Sequence, residues 1–253
     1  MIIAFICIVL IFNTMETISI HRPKIVVIGS CNTDMVVKAN RLPVPGETIL
    51  GGTFYMNPGG KGANQAIAAA RLGAEVTFIS KIGYDLFGLQ ALEIYRSEKI
   101  NTEYIFTDQK SPSGVALISV DSFGENSIIV APGASRSLSI EDINKAEEKI
   151  KEADIILMQL EIPIDTVEYA ATIARKYGKK VILNPAPASS LSNSFLMNVH
   201  TILPNRIEAE MLSGIKVMNI ESAHRAAQAI GEKGIENVVI TLGKDGAYVK
   251  EKD

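Results

Sequence analysis

Asn57-Pro58-Gly59-Gly60-Lys61-Gly62-Ala63-Asn64-Gln65 is the stretch on which the fold turns. Glycines surround a single lysine, and an alanine-rich run from Ala63 to Leu72 follows at once and is stopped by Gly73. This order predicts a tight turn feeding a helix, with Gly73 just past the helix end. A helix entered this way has unpaired N–H groups at its start, which suit an anionic or many-hydroxyl ligand approaching the main chain. Lys61 adds a mobile positive charge, and Asn64 and Gln65 add amide donors and acceptors. The loop is not of the Walker type, because Gly62 follows Lys61 where Ser or Thr is required. It is not a dinucleotide fingerprint either, since G-x-G-x-x-G occurs nowhere in the chain. The same glycines would also suit a loop that merely packs tightly, and the stretch alone leaves both readings open.

Before the loop, Lys24 to Ile28 is a β-branched run that predicts a buried strand, followed by the short polar residues Ser30, Asn32 and Asp34. Short strands are expected at Met35 to Ala39 and Thr48 to Met56, turning through Pro43, Val44, Pro45 and Gly46. After the helix come a strand at Val76 to Ser80, a helix from Leu86 to Glu98, and a hairpin of Val115 to Val120 with Ser127 to Val130. A plain alternation then sets in. Ser139 and Asp142 read as a capping box opening a helix to Lys151, and Asp165 with Glu168 as the cap of a helix ended by Gly178. Strands are predicted at Asp154 to Met158, Val181 to Leu183, Thr201 to Leu203 and Val238 to Thr241, with a helix from Ser222 to Glu232. Strand, helix, strand in this rhythm makes parallel βαβ units, so the expected class is α/β.

The chain's 253 residues are 47% hydrophobic and 21% charged, with a net charge of −3. These values describe a globular protein and offer no basic face for nucleic acid. Cys7 and Cys31 cannot form a disulfide framework, so a reducing compartment is the expectation. Met1 to Phe12 is almost wholly apolar but too short to span a bilayer. A weak export signal, a surface anchor, or an extension ahead of a start at Met15 are the readings it leaves. Residues 1–23 are therefore set apart from an α/β domain over 24–253.

Each expected parallel strand ends in polar or glycine-rich residues: Asn32 and Asp34, Gln159 and Glu161, Asn184, Asn205 and Glu208, Thr241 and Gly243. Strand carboxyl ends share one rim of a parallel sheet, so these groups are expected to meet at one crevice. Competing chemistries lack their residues. His21, His200 and His224 have no metal-ligand spacing, and G-x-S-x-G is absent. Asn and Asp for hydroxyls, glycine turns and one lysine suit a sugar or nucleoside meeting a phosphate donor.

Gly29-Ser30 with Asn32 and Asp34, Pro45-Gly46-Glu47-Thr48, Gly59 to Ala66, and Gly83, Asp85 and Gly88 resemble the N-terminal half of the ribokinase (pfkB) family of carbohydrate kinases. Met158-Gln159-Leu160-Glu161, Asn184-Pro185-Ala186-Pro187-Ala188, Pro204-Asn205 with Glu208, and Thr241-Leu242-Gly243 continue the pattern in order. The resemblance implies a central, mostly parallel sheet with flanking helices and a small β lid, built from strands near 35–56 and 115–130 and used for homodimerisation. It implies that Asn32, Thr33, Asp34, Gly60, Lys61, Gly62, Ala63, Asn64 and Glu161 bind the sugar. Asn205 and Thr241 to Gly246, including Leu242, Gly243, Lys244 and Asp245, would serve ATP. Glu208 would serve Mg²⁺, directly or through water, and a monovalent cation is expected of the family. The implied reaction carries the ATP γ-phosphate to ribose in the cytoplasm, with no membrane partner unless residues 1–12 act as an anchor.

One departure stands out. The family's catalytic aspartate lies in a Gly-Ala-Gly-Asp motif downstream of the Thr-x-Gly strand, and the sequence to Asp253 contains none. The resemblance therefore puts the catalytic base beyond Asp253 and assigns it to no residue given. Neither Asp34 nor Asp245 stands where the resemblance would put it. The chain as given is expected to lack normal kinase turnover while keeping weak sugar binding. Another pentose, a ketohexose or a nucleoside as substrate, or a non-catalytic sugar-binding protein, are the alternatives.

Overall fold

The computed structural model describes residues 22–252. The expectations placed on Met1 to Phe12, Cys7 and His21, and the domain boundary drawn at Asp253, lie outside the described residues. In chain order the elements are β1 Lys24–Ile28, β2 Asn32–Lys38, β3 Thr53–Gly59, α1 Lys61–Arg71, β4 Glu75–Gly83, α2 Leu86–Ser97 and β5 Ile105–Asp108. Next come β6 Gly114–Val120, β7 Asn126–Ala131, a 3₁₀ turn at Gly133–Ser137, α3 Ile140–Lys145, α4 Glu147–Glu152, β8 Ile155–Met158 and α5 Ile164–Lys176. The chain continues through β9 Lys180–Leu183, α6 Asn193–Leu196, β10 Thr201–Ile202, α7 Arg206–Ser213, α8 Ile220–Gly231, β11 Asn237–Thr241 and β12 Ala247–Lys250.

The strands form an eight-stranded sheet in the order β12-β11-β10-β9-β8-β1-β4-β5 and a separate four-stranded sheet in the order β3-β2-β6-β7. In the large sheet every pairing is parallel except β11 with β12. Its central strands β1, β8 and β9 are almost wholly apolar because helices cover both faces. Val26, Ile28, Ile156 and Met158 pack on one side with Ile150 and Val167. Ile25, Val27, Ile155 and Leu157 pack on the other with Ala63, Ala66 and Tyr95. The chain leaves β1 toward β4 on one flank and later returns to β8 on the other, so β1 is the topological switch point. Ligand crevices of open α/β sheets form there.

The α/β class and the second small sheet match the sequence expectation. Several boundaries differ for physical reasons. Strand β2 begins at Asn32 rather than Met35, because Asn32 to Asp34 pair with Gly59 to Asn57 on one side and with Gly114 to Ala116 on the other. Strand β3 begins at Thr53 rather than Thr48, where Gly51 and Gly52, at φ 107° and 106°, interrupt the extended chain. The helix expected to Lys151 is divided at Ala146, whose φ of −101° and ψ of 5° leave helical geometry while Ile143 and Ile150 both stay in the core. Asp165 does not cap α5: Pro163 occupies that position, and the Asp165 carboxylate accepts instead from the Thr166 N–H at 3.0 Å. The capping box of Ser139 and Asp142 is present, and Gly73 ends α1 in a Schellman arrangement, with Ala74 N–H donating to Ala69 O and Gly73 N–H to Ala70 O.

Candidate functional site

The site grows from the corner between β1 and β2. There the chain leaves the large sheet at Gly29 and enters the small one at Asn32, and α1 is docked against that corner. Ala63 N–H donates to Ser30 O at 2.9 Å. A Cβ on Gly62 would lie 2.6 Å from Ser30 O, and Gly60 is held at φ 89° against Cys31 and Asn32. Gly62 and Ala63 are therefore packing residues that bring the helix start to the crevice, rather than ligand contacts through side chains.

Because its N-cap is Gly60, α1 has no capping side chain of its own. Glu161, just past β8, takes that role from across the switch point. Its Oε2 accepts from Lys61 N–H at 3.0 Å and from the Ser30 hydroxyl at 2.6 Å, and its Oε1 lies 3.7 Å from Lys61 Nζ. A carboxylate at a helix N-terminus is favoured by the helix dipole. Asn32 and Asp34 project from the same face of β2, and Thr33, between them, points to the other face. Space for both comes from missing side chains: a Cβ on Gly114 would lie 2.1 Å from Asn32 Oδ1, and one on Gly59 would lie 1.9 Å from Asp34 Oδ1. Asn32 Oδ1 is buried with no protein partner. Burial, and then the Glu161 charge, hold the Asp34 carboxyl above its ordinary range. Asn64 sits half-buried on the first turn of α1. Acceptors thus outnumber donors among these side chains, and such a set suits the hydroxyls of a neutral polyol better than an anion.

Asp85 fixes the root of the small sheet. It caps α2 through Gly88 N–H and accepts from Ser113 N–H at 2.7 Å, directly before Gly114 begins β6 beside Asn32. Cys31, buried at the same corner, has its thiol pushed by burial up to about 11 and acts as packing.

Along the same rim, Asn205 and Thr241 meet in a parallel bridge between β10 and β11. Asn205 caps α7 and forms a reciprocal box with Glu208, whose N–H donates to Asn205 Oδ1 at 2.9 Å while its carboxylate accepts from both Asn205 N–H and Nδ2. Glu208 is buried, and burial raises its carboxyl above the ordinary range against the opposing pull of the Asn205 N–H and the positive charge of Lys61. Lys61 Nζ thus lies 3.7 Å from Glu161 Oε1, and its charge also pulls the Glu208 carboxyl down. The turn from Leu242 to Gly246 is a 3₁₀ turn at Gly243–Asp245 with Lys244 and Asp245 exposed, whereas the Leu242 side chain is in the core.

Two strand-end groups turn inward. Gln159, fully buried, donates to Gln65 and braces α1, and Asn184 Nδ2 donates to Leu203 O at 3.0 Å. Sequence reasoning passes over Arg206, which ties α7 to the Leu242 turn and has no local signal beyond adjacency to Asn205. Among the described residues no group of three or more His, Cys, Asp or Glu is arranged to hold a metal. His200 lies beside Thr201, its Nδ1 2.8 Å from Oγ1, as an ordinary packing residue. No helix among the described residues is long and apolar enough to cross a membrane.

The family model for pfkB family carbohydrate kinases matches residues 22–253. The chain is 46% identical over 231 residues to a ribokinase of Haemophilus influenzae, covering 91% of this chain and 76% of that one. It is 38% identical to a deoxyribokinase of Salmonella typhi, covering 90% of this chain and 75% of that one. The structure of Arabidopsis thaliana ribokinase complexed with ribose and ATP superposes with a TM-score of 0.81 at 30% identity, covering 91% of this chain and 75% of that one.

Proposed function

From its membership of the pfkB family of carbohydrate kinases, as a kinase of the ribokinase type, we propose that this chain binds D-ribose and ATP for transfer of the γ-phosphoryl group to the primary hydroxyl of the sugar. The observation that carries the sugar half is the buried Asn32 Oδ1 without a partner, two residues from Asp34 on the same face of β2 and near the start of α1, where Glu161 pairs with Lys61. A buried acceptor of this kind is satisfied by a ligand hydroxyl. Asp34 and Glu161 accept from further hydroxyls, and Asn64 and Lys61 donate.

Phosphoryl transfer needs positioning and charge neutralisation more than covalent chemistry from the protein. Lys61 is placed for both, between the sugar carboxylate Glu161 and the Asn205–Glu208 pair on the nucleotide side. Asn205, Thr241 and the Gly243–Gly246 turn offer backbone and side-chain donors to the phosphates. Glu208 would hold Mg²⁺ through water rather than directly, because its oxygens already accept from Asn205, and the ion would supply neutralisation of phosphate charge. A monovalent cation and the base that takes the sugar proton are assigned to no residue up to Asp253. Tilting of the small sheet over the pocket excludes water as a competing acceptor.

The small sheet also supports homodimerisation: Phe54, Met56, Leu117 and Ile129 are exposed and, by strand register, share one of its faces, which favours a second copy. A supply of ATP places the protein in the cytoplasm. The competing substrate is 2-deoxyribose, favoured by the deoxyribokinase relative. Calorimetric titration with D-ribose, 2-deoxy-D-ribose, D-fructose and adenosine, each with and without Mg²⁺–ATP, tests the reading. D-Ribose is expected to bind tightest and Asn32→Leu to abolish that binding; tighter binding of adenosine or fructose overturns it. The same samples, followed for ADP release, report whether bound sugar and nucleotide react.

A further inference from the structure

We infer that Arg206 is a positioning residue for the nucleotide: it clamps the Leu242–Gly246 turn in place and masks the negative charge of Asp245 from the incoming polyphosphate. The inference rests on the proposal that this turn meets ATP.

The guanidinium reaches two separate segments. Its Nη1 donates to Met218 O at 3.0 Å and to Val217 O at 3.4 Å, in the connection between α7 and α8. Its Nη2 donates to Leu242 O at 3.2 Å and pairs with Asp245 Oδ2 at 2.8 Å. A planar fork of fixed donors can join a carboxylate and several carbonyls at once, which a lysine cannot. Arg206 is also the first residue of α7, next to Asn205, which caps that helix and bridges to Thr241. One side chain thus sets the spacing between the Asn205 cap and the turn.

The charge argument is independent of the clamp. Asp245 is exposed in the turn and would face phosphates carrying several negative charges. An unpaired carboxylate there would repel them, and the Arg206 pair cancels it. The pair lies at the surface, where it contributes little to folding, so its effect should be read in ligand binding rather than in stability.

Hydrogen exchange on the ligand-free protein tests the clamp by itself. Arg206→Met should speed exchange of the Asp245 and Gly246 amides while leaving the β1, β4 and β8 amides protected; unchanged exchange in the turn overturns the clamp. Titration with Mg²⁺–ATP tests the charge role. Arg206→Met should weaken nucleotide binding by roughly threefold to tenfold at low ionic strength, shrinking as salt is raised. D-Ribose binding should not move. The double variant Arg206→Met/Asp245→Asn should recover most of the nucleotide affinity, and Arg206→Lys should lie between. A double variant no better than Arg206→Met overturns the masking role. If Arg206→Met does not fold, Arg206→Lys and Asp245→Asn carry the same comparison. A wild-type chain that takes no nucleotide while the exchange result holds would defeat the ATP reading and leave the clamp standing.

Discussion

Glu161 Oε2 accepts the backbone N–H of Lys61 at 3.0 Å, from a position one hundred residues further along the chain. A carboxylate from the end of β8 thereby completes the start of α1 and orients the only lysine of the glycine loop. Removing it should disturb folding and binding together. Glu161→Ala leaves the Ser30 hydroxyl and the Lys61 N–H without their acceptor, and a charged hydrogen bond contributes about 1.5–3 kcal/mol. The expected result is a loss of that order in urea unfolding and a larger relative loss of ribose affinity by calorimetry.

Asp34 should behave oppositely. Burial and then the Glu161 charge raise its carboxyl. A carboxyl that titrates higher in the native state than in the unfolded chain opposes folding once ionised. That penalty is full above the native titration point, eases as pH falls through it, and is gone below the ordinary value of 3.8. Asp34→Asn is therefore expected to raise the melting temperature at pH 7, with the gain fading in acid, while ribose binding is lost. Thermal scans at several pH values, paired with calorimetry, check both halves.

Lys81 and Asp142 make a largely buried pair at 2.8 Å, with Lys81 also donating to Ser137 O at 3.1 Å. Burial alone would raise the Asp142 carboxyl, but the hydrogen bonds from Lys81 and Ser139 outweigh it and hold it below the ordinary range. Its stabilising share is present above the unfolded value of 3.8 and lost as pH falls through the depressed one. Lys81→Met strands a buried carboxylate and should cost about 3–5 kcal/mol at pH 7 in urea unfolding. A loss under about 1 kcal/mol would show the pair to be solvated, on the scale of surface pairs.

Gly62→Ala tests close approach rather than backbone freedom. Its Cβ would meet Ser30 O at 2.6 Å and the Gly29 carbonyl carbon at 2.7 Å, both main-chain atoms that cannot swing aside. Overpacking of this kind costs about 1–3 kcal/mol and should push α1, with Lys61 and Asn64, out of the pocket. Gly73→Ala is the control: nothing lies within 4 Å of its Cβ, so its effect comes from φ 95° alone and should leave ribose affinity unchanged.

The parallel rhythm is legible in the sequence because each central strand is a short apolar run bounded by turn chemistry. The Gly59–Gly62 turn is legible because few side chains permit such an approach. Local pattern fails where distant groups decide. Asn205 and Glu208 have the spacing of a capping box, yet sequence reasoning takes them as ligands alone; they form that box. Gln159 and Asn184 stand at strand ends like Glu161, but their amide N–H groups donate to Gln65 and Leu203, which only the folded chain brings near, while Gln159 Oε1 is buried without a partner. Arg206 has meaning through Leu242 and Asp245, thirty-six and thirty-nine residues away. Lys61, by contrast, stands out at once because a lone lysine amid glycines has few packing roles.

Strand β2 opens with Asn32 and Asp34 and is paired along its whole length with β3 and β6. The groups proposed to grip the sugar are thus rooted in the small sheet, while Glu161 and Lys61 follow β8 and open α1 beside the large one. On the closure proposed above, capture and enclosure share a single coordinate, since a sugar bridging Asp34 to Glu161 would draw the small sheet toward the large one.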